Sequence, residues 1–565
     1  MKSKTIKFLW LLLMNQNFAF SAEAPDLILK NARVFTLDQN RPWAEAVAVA
    51  GGKIQALGKE ADVLALSGKN TRIIDCQGHF LLPAFADAHG HFLSLGRNRM
   101  QLDLAPATSF EDITALVEKA CREKKPNHWI IGRGWHQEKW QSPPPQAVDG
   151  LPRTDVLDRV CPLHPVLLVH ASGHAALANS RALVAAGISP KSLARGVVVD
   201  VNGRPTGALR EEAAERVWAA YEKWRDSRPW QERETELYQA VENAASVCLS
   251  RGVTFFQDAG STFEEIDFFL KMAQKGRLPL RLWVMIGEDN RRLEEKIEKY
   301  RIIRAGGGRL TVRAIKRFAD GALGSHGAWL KEPYNDYPEK SGEPLIEKAE
   351  LEKTARLAAK HGFQLCTHAI GDRANSLVLE VYQKVLTTAG DPQKFRWRIE
   401  HAQVVDPADT KRFAALGIIA SMQAFHCLSD GPWVEKRLGV KRSAERAYLW
   451  RSLWQAGTLI ANGTDTPVEA EDPLAGFYAF VTRKLPDGRS FFPEQTLNRE
   501  QALYAMIMNP ARAAFEEDVL GSIEPGKYAD LVLLSNDLLT VPEEEILKTK
   551  VLLTVLGGEV VYHEL

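Results

Sequence analysis

The sequence predicts an α/β protein: a (β/α)8 TIM barrel, a small β-rich domain built from both chain ends, and a large insertion after the first barrel strand. Eight short apolar runs separated by helical-looking stretches carry the barrel, at residues 80–88, 253–259, 280–286, 311–318, 363–369, 396–402, 417–423 and 458–464. That is the texture of parallel strands with crossover helices. Polar residues gather at the ends of these runs: His89 and His91, Asp258, His368, His401, Gln423 and Asp465. A barrel would bring such strand ends to one face. The chain ends differ, with short alternating runs and Gly-Gly signals at 51–52 and 557–558 that read as hairpins.

In chain order, residues 1–24 read as an export signal: Lys2, Lys4 and Lys7 precede an apolar stretch at 8–14, and small residues follow near 21–24. The stretch is too short to span a bilayer. The expectation is a periplasmic or secreted protein, and a cytoplasmic one if the segment is not a signal. Residues 25–79 and 519–565 form the composite β domain, because the texture of "AEAVAVAGGKIQALG" returns in "VLLTVLGGEVVYHEL". Residues 80–518 form the barrel, interrupted at about 104–250 by a segment rich in Trp, Pro and Gly that turns charged and helical toward its end. Insertions of that length usually carry function, and this one is placed to cover the barrel mouth.

At 565 residues the chain is longer than one hydrophobic core usually supports. Its 45% apolar and 25% charged residues are ordinary for a globular protein. A net charge of +1 with no long basic run argues against nucleic acid as a partner, since phosphate binding needs a concentrated basic field. After the N-terminal segment no run of 18 apolar residues appears, so no membrane span is expected in the mature chain. The six cysteines are scattered without a CxxC, which indicates neither a zinc knuckle nor a dense disulfide framework. Export would permit a disulfide without naming one.

The chemistry centres on His89-Gly90-His91. With 14 histidines, an HxH is expected by chance roughly 0.3 times per chain, so the motif gains weight only from its place. Residues i and i+2 of a strand share a face, so both imidazoles can reach one ion. His368 in "THAIGD", His401 in "RIEHAQ" and Asp465 in "NGTDTP" supply further nitrogen and oxygen donors at strand ends. This donor set suits zinc and similar divalent ions. Taken singly, each histidine also reads as a satisfied core residue and Asp465 as a helix cap. Lys316 lies inside an apolar strand, where a lysine is costly unless paired, here with Asp320 or Asp258, or modified by CO2 to a carbamate. Trp135, His136 and Trp140 in the insertion read either as pocket walls or as packing residues.

Taken together, "LLPAFADAHGHF", "GRGWHQEKW", "GHAALANSRALVAAGI", "KRFADGALGS", "THAIGDRAN", "RIEHAQ", "GTDTPVEAEDPLAGFYAFVTR" and "GSIEPGKYADLVLL" resemble the amidohydrolase superfamily. The nearest branch is the YtcJ-like metal-dependent hydrolases, which includes N-substituted formamide deformylase, and the likeness covers nearly all of the mature chain. The resemblance implies a distorted barrel carrying a β-sandwich made from both termini. It implies one ion on His89 and His91, a second on His368 and His401, a carboxylated Lys316 (N6-carboxylated) as the bridge, and Asp465 completing the set. One or two divalent ions, zinc foremost, are the implied cofactor. Asp465 is the expected catalytic group, taking a proton from an activated water and handing it to the leaving nitrogen. His174, Trp135 and Asp320 are the candidate substrate-binding residues, with a structural hydrogen bond as the other reading of His174.

The implied activity is hydrolysis of a non-peptide carbon–nitrogen bond in a small-molecule amide, an N-substituted formamide among them. The alternatives are an ester, lactone or cyclic amide on the same site, or a non-catalytic secreted binding or regulatory protein that keeps the barrel as scaffold. Self-association into a homo-oligomer stays open. Three positions depart from the family pattern: Ala84 for a glycine, and His170 and His326 where arginine is expected. The two histidines lie outside the donor set and bear on substrate choice.

Overall fold

A computed structural model describes residues 24–565 except 142, 143 and 145. Apart from Ala24, the segment expected to be an export signal lies outside the described residues. Eight parallel strands form the barrel: β1 Phe85–Gly90, β2 Val253–Ser261, β3 Arg281–Ile286, β4 Leu310–Phe318, β5 Gln364–Ala369, β6 Arg398–His401, β7 Ile419–Met422 and β8 Ile460–Asn462. Each neighbours the next in sequence order. Among the described residues no ladder joins β8 to β1. The seam is instead stitched beyond the strand ends, where Asp465 N donates to His89 O at 2.7 Å and His91 N to Thr466 O at 2.7 Å. The barrel is therefore nearly closed, and its seam runs through the residues that matter most.

The strands are buried on both faces, which explains their continuous apolar texture. The barrel interior is packed around Arg398, which donates to Gln257 Oε1 at 2.5 Å and Gln364 Oε1 at 2.7 Å. Its guanidinium lies 4.4 Å from the Trp283 ring centroid. Such a buried cation persists because its Nε and Nη1 donors are satisfied and its planar head stacks.

The expected first strand, 80–88, is two strands. Phe80–Pro83 pairs with Arg33–Phe35 and Leu531–Leu534 in a terminal sheet, and only after Ala84 does the chain enter β1. Both pieces are apolar and fully buried, so no change of pattern marks the step between them. This terminal sheet has six strands drawn from both chain ends, and faces a four-stranded sheet from residues 27–75. Leu29, Val47 and Val49 share one core with Leu81, Leu533 and Val555. A buried two-pronged ion pair, Arg281 Nε and Nη2 to Asp530 at 2.8 and 2.9 Å, ties this part to β3.

The 104–250 segment also divides. Six strands between Leu102–Asp103 and Pro205–Arg210 form a separate sheet with its own apolar clusters, around Trp135 on one side and Trp129 on the other. A disulfide joins Cys121 to Cys161 in it, with Cα atoms 5.9 Å apart. The helix Trp230–Ser250 belongs instead to the barrel: Leu237, Val241 and Cys248 enter the main core. It approaches the helix Phe92–Asn98 so closely that a Cβ on Gly96 would meet Ala240 O at 1.8 Å.

Candidate metal centre

The polar strand ends meet at Asp465. Its Oδ1 lies 3.2 Å from His91 Nε2 and 3.6 Å from His89 Nε2. Two glycines make this approach possible. A Cβ on Gly463 would meet His89 N at 2.4 Å, and one on Gly90 would meet the Phe256 ring at 2.5 Å. The backbone bends sharply to present the donors: Asp465 has φ +60° and His401 φ +75°, a region that ordinary residues seldom adopt and that clusters at functional sites.

The imidazoles are held from behind. His89 Nδ1 donates to Glu400 Oε2 at 2.5 Å, and His401 Nδ1 donates to Gln423 Oε1 at 2.6 Å. An acceptor on one ring nitrogen fixes the tautomer and turns the other nitrogen toward the site, the usual support of a metal-ligating histidine. The rings of His89 and His401 are 4.9 Å apart, and those of His368 and His401 4.5 Å. Lys316 Nζ reaches His89 Nε2 at 3.2 Å, the nitrogen left free by Glu400. Lys316 is thus paired with neither Asp258 nor Asp320, as its burial alone suggested. Asp258 accepts from Phe92 N at 2.8 Å and Ser261 Oγ at 2.6 Å, which caps the helix after β1.

Electrostatics favours ligand forms. Burial, with the Lys316 charge nearby, lowers the His89 imidazole pKa and pushes that of His368 down to about 3. Burial also holds His401 well below its usual value and lowers Lys316. Burial opposes ionisation of Asp465, yet His91, His401 and His89 together hold its carboxyl well below the usual range. Glu400 is likewise buried, but its pKa falls to about 2 beside His89. Neutral imidazoles around ionised carboxylates are what a divalent cation binds.

Two residues of this centre escape a strand-end reading. Glu400 directly precedes His401 and points at His89. His426, in the first turn of the helix Ala424–Leu438, lies 3.9 Å from Asp465 Oδ2 through its Nε2. The only signals for them were a carboxylate beside a strand-end histidine and a histidine three residues past Gln423. Donor atoms of His89, His91 and Asp465 all lie within 4.8 Å of one another, and so do those of His401, His426 and Asp465. His368 Nε2, His426 Nε2 and Glu400 Oε1 are buried without a hydrogen-bond partner. Buried polar atoms left in that state call for an explanation, and a nitrogen-and-oxygen donor set with orphaned members fits a divalent ion.

The candidate substrate residues differ in their surroundings. Trp135 is wholly buried and donates its indole N–H to Leu168 O at 2.9 Å, so it packs the inserted sheet and faces no cavity. His174 is exposed and its Nδ1 lies 3.3 Å from Glu211. Asp320 accepts backbone N–H groups from Trp329, Ile370 and Gly371 at 2.8–2.9 Å, an anchor for the loop after β4, with Oδ1 3.5 Å from His368 Nε2. Burial pushes its carboxyl up to about 7. His170 bonds Ser172 and Gln137, and His326 pairs with Asp336 at 3.1 Å.

The chain was compared with known proteins. A model described as the amidohydrolase family matches residues 72–562. Protein LONG AFTER FAR-RED 3 of Arabidopsis thaliana is 32% identical, over 95% of this chain and 91% of its own. The putative amidohydrolase YtcJ of Bacillus subtilis (strain 168) is 31% identical over 94% of this chain and 98% of its own. N-substituted formamide deformylase of Arthrobacter pascens is 27% identical, over 95% and 98%. Among solved structures, an uncharacterized metal-dependent hydrolase from Pyrococcus furiosus superposes with a TM-score of 0.75 at 26% identity, covering 91% of this chain and 100% of that one.

Proposed function

The chain belongs to the amidohydrolase family, and from that premise we propose that it hydrolyses a carbon–nitrogen bond other than a peptide bond in a small-molecule amide, an N-substituted formamide being one such substrate. The observation that carries this is the convergence on Asp465 of imidazoles from the end of β1, from the end of β6 and from the first turn of the helix that follows β7. His89, His91, His368, His401 and Asp465 are the residues we assign to holding a divalent cation, zinc by the preference of the donor set. When bound, such an ion acidifies water and polarises a carbonyl.

Asp465, held ionised, accepts a proton from the attacking water and delivers it to the departing nitrogen. That second transfer matters because an amine anion is a poor leaving group. Glu400 and Gln423 act through His89 and His401 by fixing their tautomers. Lys316 as a free amine would compete for His89 Nε2. Addition of CO2 to the amine, with loss of one proton, turns it into a carboxylate; we propose that this carbamate is its working form. We further propose export: the Cys121–Cys161 disulfide supports an oxidising compartment, where such bonds persist.

The test is a panel of N-alkyl and N-aryl formamides, acetamides, cyclic amides, esters and lactones, assayed with metal-replete protein. Turnover of open-chain amides at least tenfold above esters and lactones supports the reading. Faster ester or lactone turnover reassigns the bond, and inertness across the panel favours a binding role for the scaffold.

A further inference from the structure

A cavity of about 750 Å3 lies at the joint between the insert and the barrel. Trp129, Tyr221 and Trp224 face it from the insert, and Met100 and Glu236 from the barrel side. None of the residues around it belongs to the Asp465 centre. Its size is that of a small-molecule site, and such sites favour the joints between structural units.

The insert side is aromatic. The Tyr221 ring lies 5.7 Å from that of Trp129 and 6.1 Å from that of Trp224, centroid to centroid. Met100, 40% exposed, adds an apolar side chain from the segment that follows the helix Phe92–Asn98. The Tyr221 hydroxyl makes no hydrogen bond among the described residues.

The charges around the cavity do not balance. Arg97, Lys124, Lys125 and Arg228 stand against two carboxylates, Glu232 and Glu236, in a chain whose net charge is only +1. His128 also lines the cavity, and burial lowers its pKa, away from the charged form. Both carboxylates are already engaged. Glu236 pairs with Arg97 at 3.1 Å and with Arg228, and Glu232 lies 3.6 Å from Lys125 Nζ. Among the described residues Lys124 has no carboxylate partner, and its Nζ donates only to Trp129 O, at 3.3 Å. An ammonium carries three donors, so Lys124 has capacity left for an anion.

We propose that this cavity is a second ligand site, which takes a planar apolar molecule bearing a carboxylate, with Lys124 as the partner of the anion and Trp129, Tyr221 and Trp224 as the walls. Aromatic walls draw a planar body out of water, and a charge-assisted hydrogen bond from an ammonium selects an anion over a neutral group of the same shape. The occupant touches insert and barrel at once, so its binding should hold the two together. This inference does not depend on the metal-dependent reading above.

The probe is 2-naphthoate, titrated calorimetrically into the full-length metal-replete protein, with 2-naphthalenemethanol as the uncharged comparison. The wild type is expected to bind naphthoate about tenfold or more tighter than the alcohol, the scale of one hydrogen bond to a charged group, and to melt at a higher temperature in its presence. Lys124→Gln should weaken naphthoate about tenfold and leave the alcohol unchanged, and Lys124→Arg should restore most of the loss. Trp224→Ala should weaken both ligands, and thermal melts report the folding of every variant. Naphthoate bound with undiminished affinity by folded Lys124→Gln, the alcohol bound as tightly as the acid, or no binding by the wild type up to about 5 mM overturns the proposal.

Discussion

The barrel mouth and the inserted sheet both bury histidine and tryptophan, and they use the polar atoms of those rings in opposite ways. In the insert most of these ring nitrogens are committed to neighbours, Trp135 to Leu168 O, His164 to His128 O, and His170 to Ser172 and Gln137, with Trp140 Nε1 buried without a partner as the exception. At the mouth, outer nitrogens are anchored while inner ones are left over, at His368 and His426. A self-satisfied network stabilises a fold, whereas convergent groups left unsatisfied prepare for a ligand. Unsatisfied atoms occur singly elsewhere, so it is their convergence with other donors that marks the residues that act.

The contrast is tested most severely at its centre. Asp465→Asn should lower turnover of the best panel substrate by about 10²–10⁴, with the fold intact, since it removes a general acid–base group; steady-state kinetics and a thermal melt check this, and unchanged turnover would erase the distinction. Next in size, Glu400→Gln keeps an acceptor shape beside His89 but removes the charge, and should weaken metal binding about 10–100-fold in a chelator competition. In the insert the effects should fall on stability instead. Trp135→Phe should cost about 1–2 kcal/mol in denaturant unfolding while kcat/KM stays within about twofold. His174→Ala, at an exposed pair, should change stability by less than about 0.5 kcal/mol. A large loss of kcat/KM in either variant would move the insert into the substrate site.

Much of the mouth was legible because a barrel converts strand order into neighbourhood: His89, His91, Lys316, His368, His401 and Asp465 were all marked by sitting in or just after apolar runs. His426 was not, because it lies within the first turn of a helix, where a histidine reads as a polar face residue. Glu400 was hidden by its neighbour, since alternation in a strand turns adjacent side chains to opposite sides. The division of 80–88 into two strands was invisible because both pieces are buried on all sides. The helix at 230–250 was merged with the insert because charge on its outer face masked the apolar stripe that packs on the barrel. Substrate contacts were the least legible: Trp135 carries a family motif, but motifs preserve packing as readily as chemistry.

The central claim, that the Asp465 centre is a metal-dependent hydrolytic site, is met most directly by metal removal. The account predicts that protein stripped by a chelator, shown metal-free by elemental analysis and still folded by circular dichroism, loses at least 95% of its amide turnover, on the order expected when an ion activates water. Adding Zn2+ should restore it. Full turnover by the folded, metal-free protein would contradict the account.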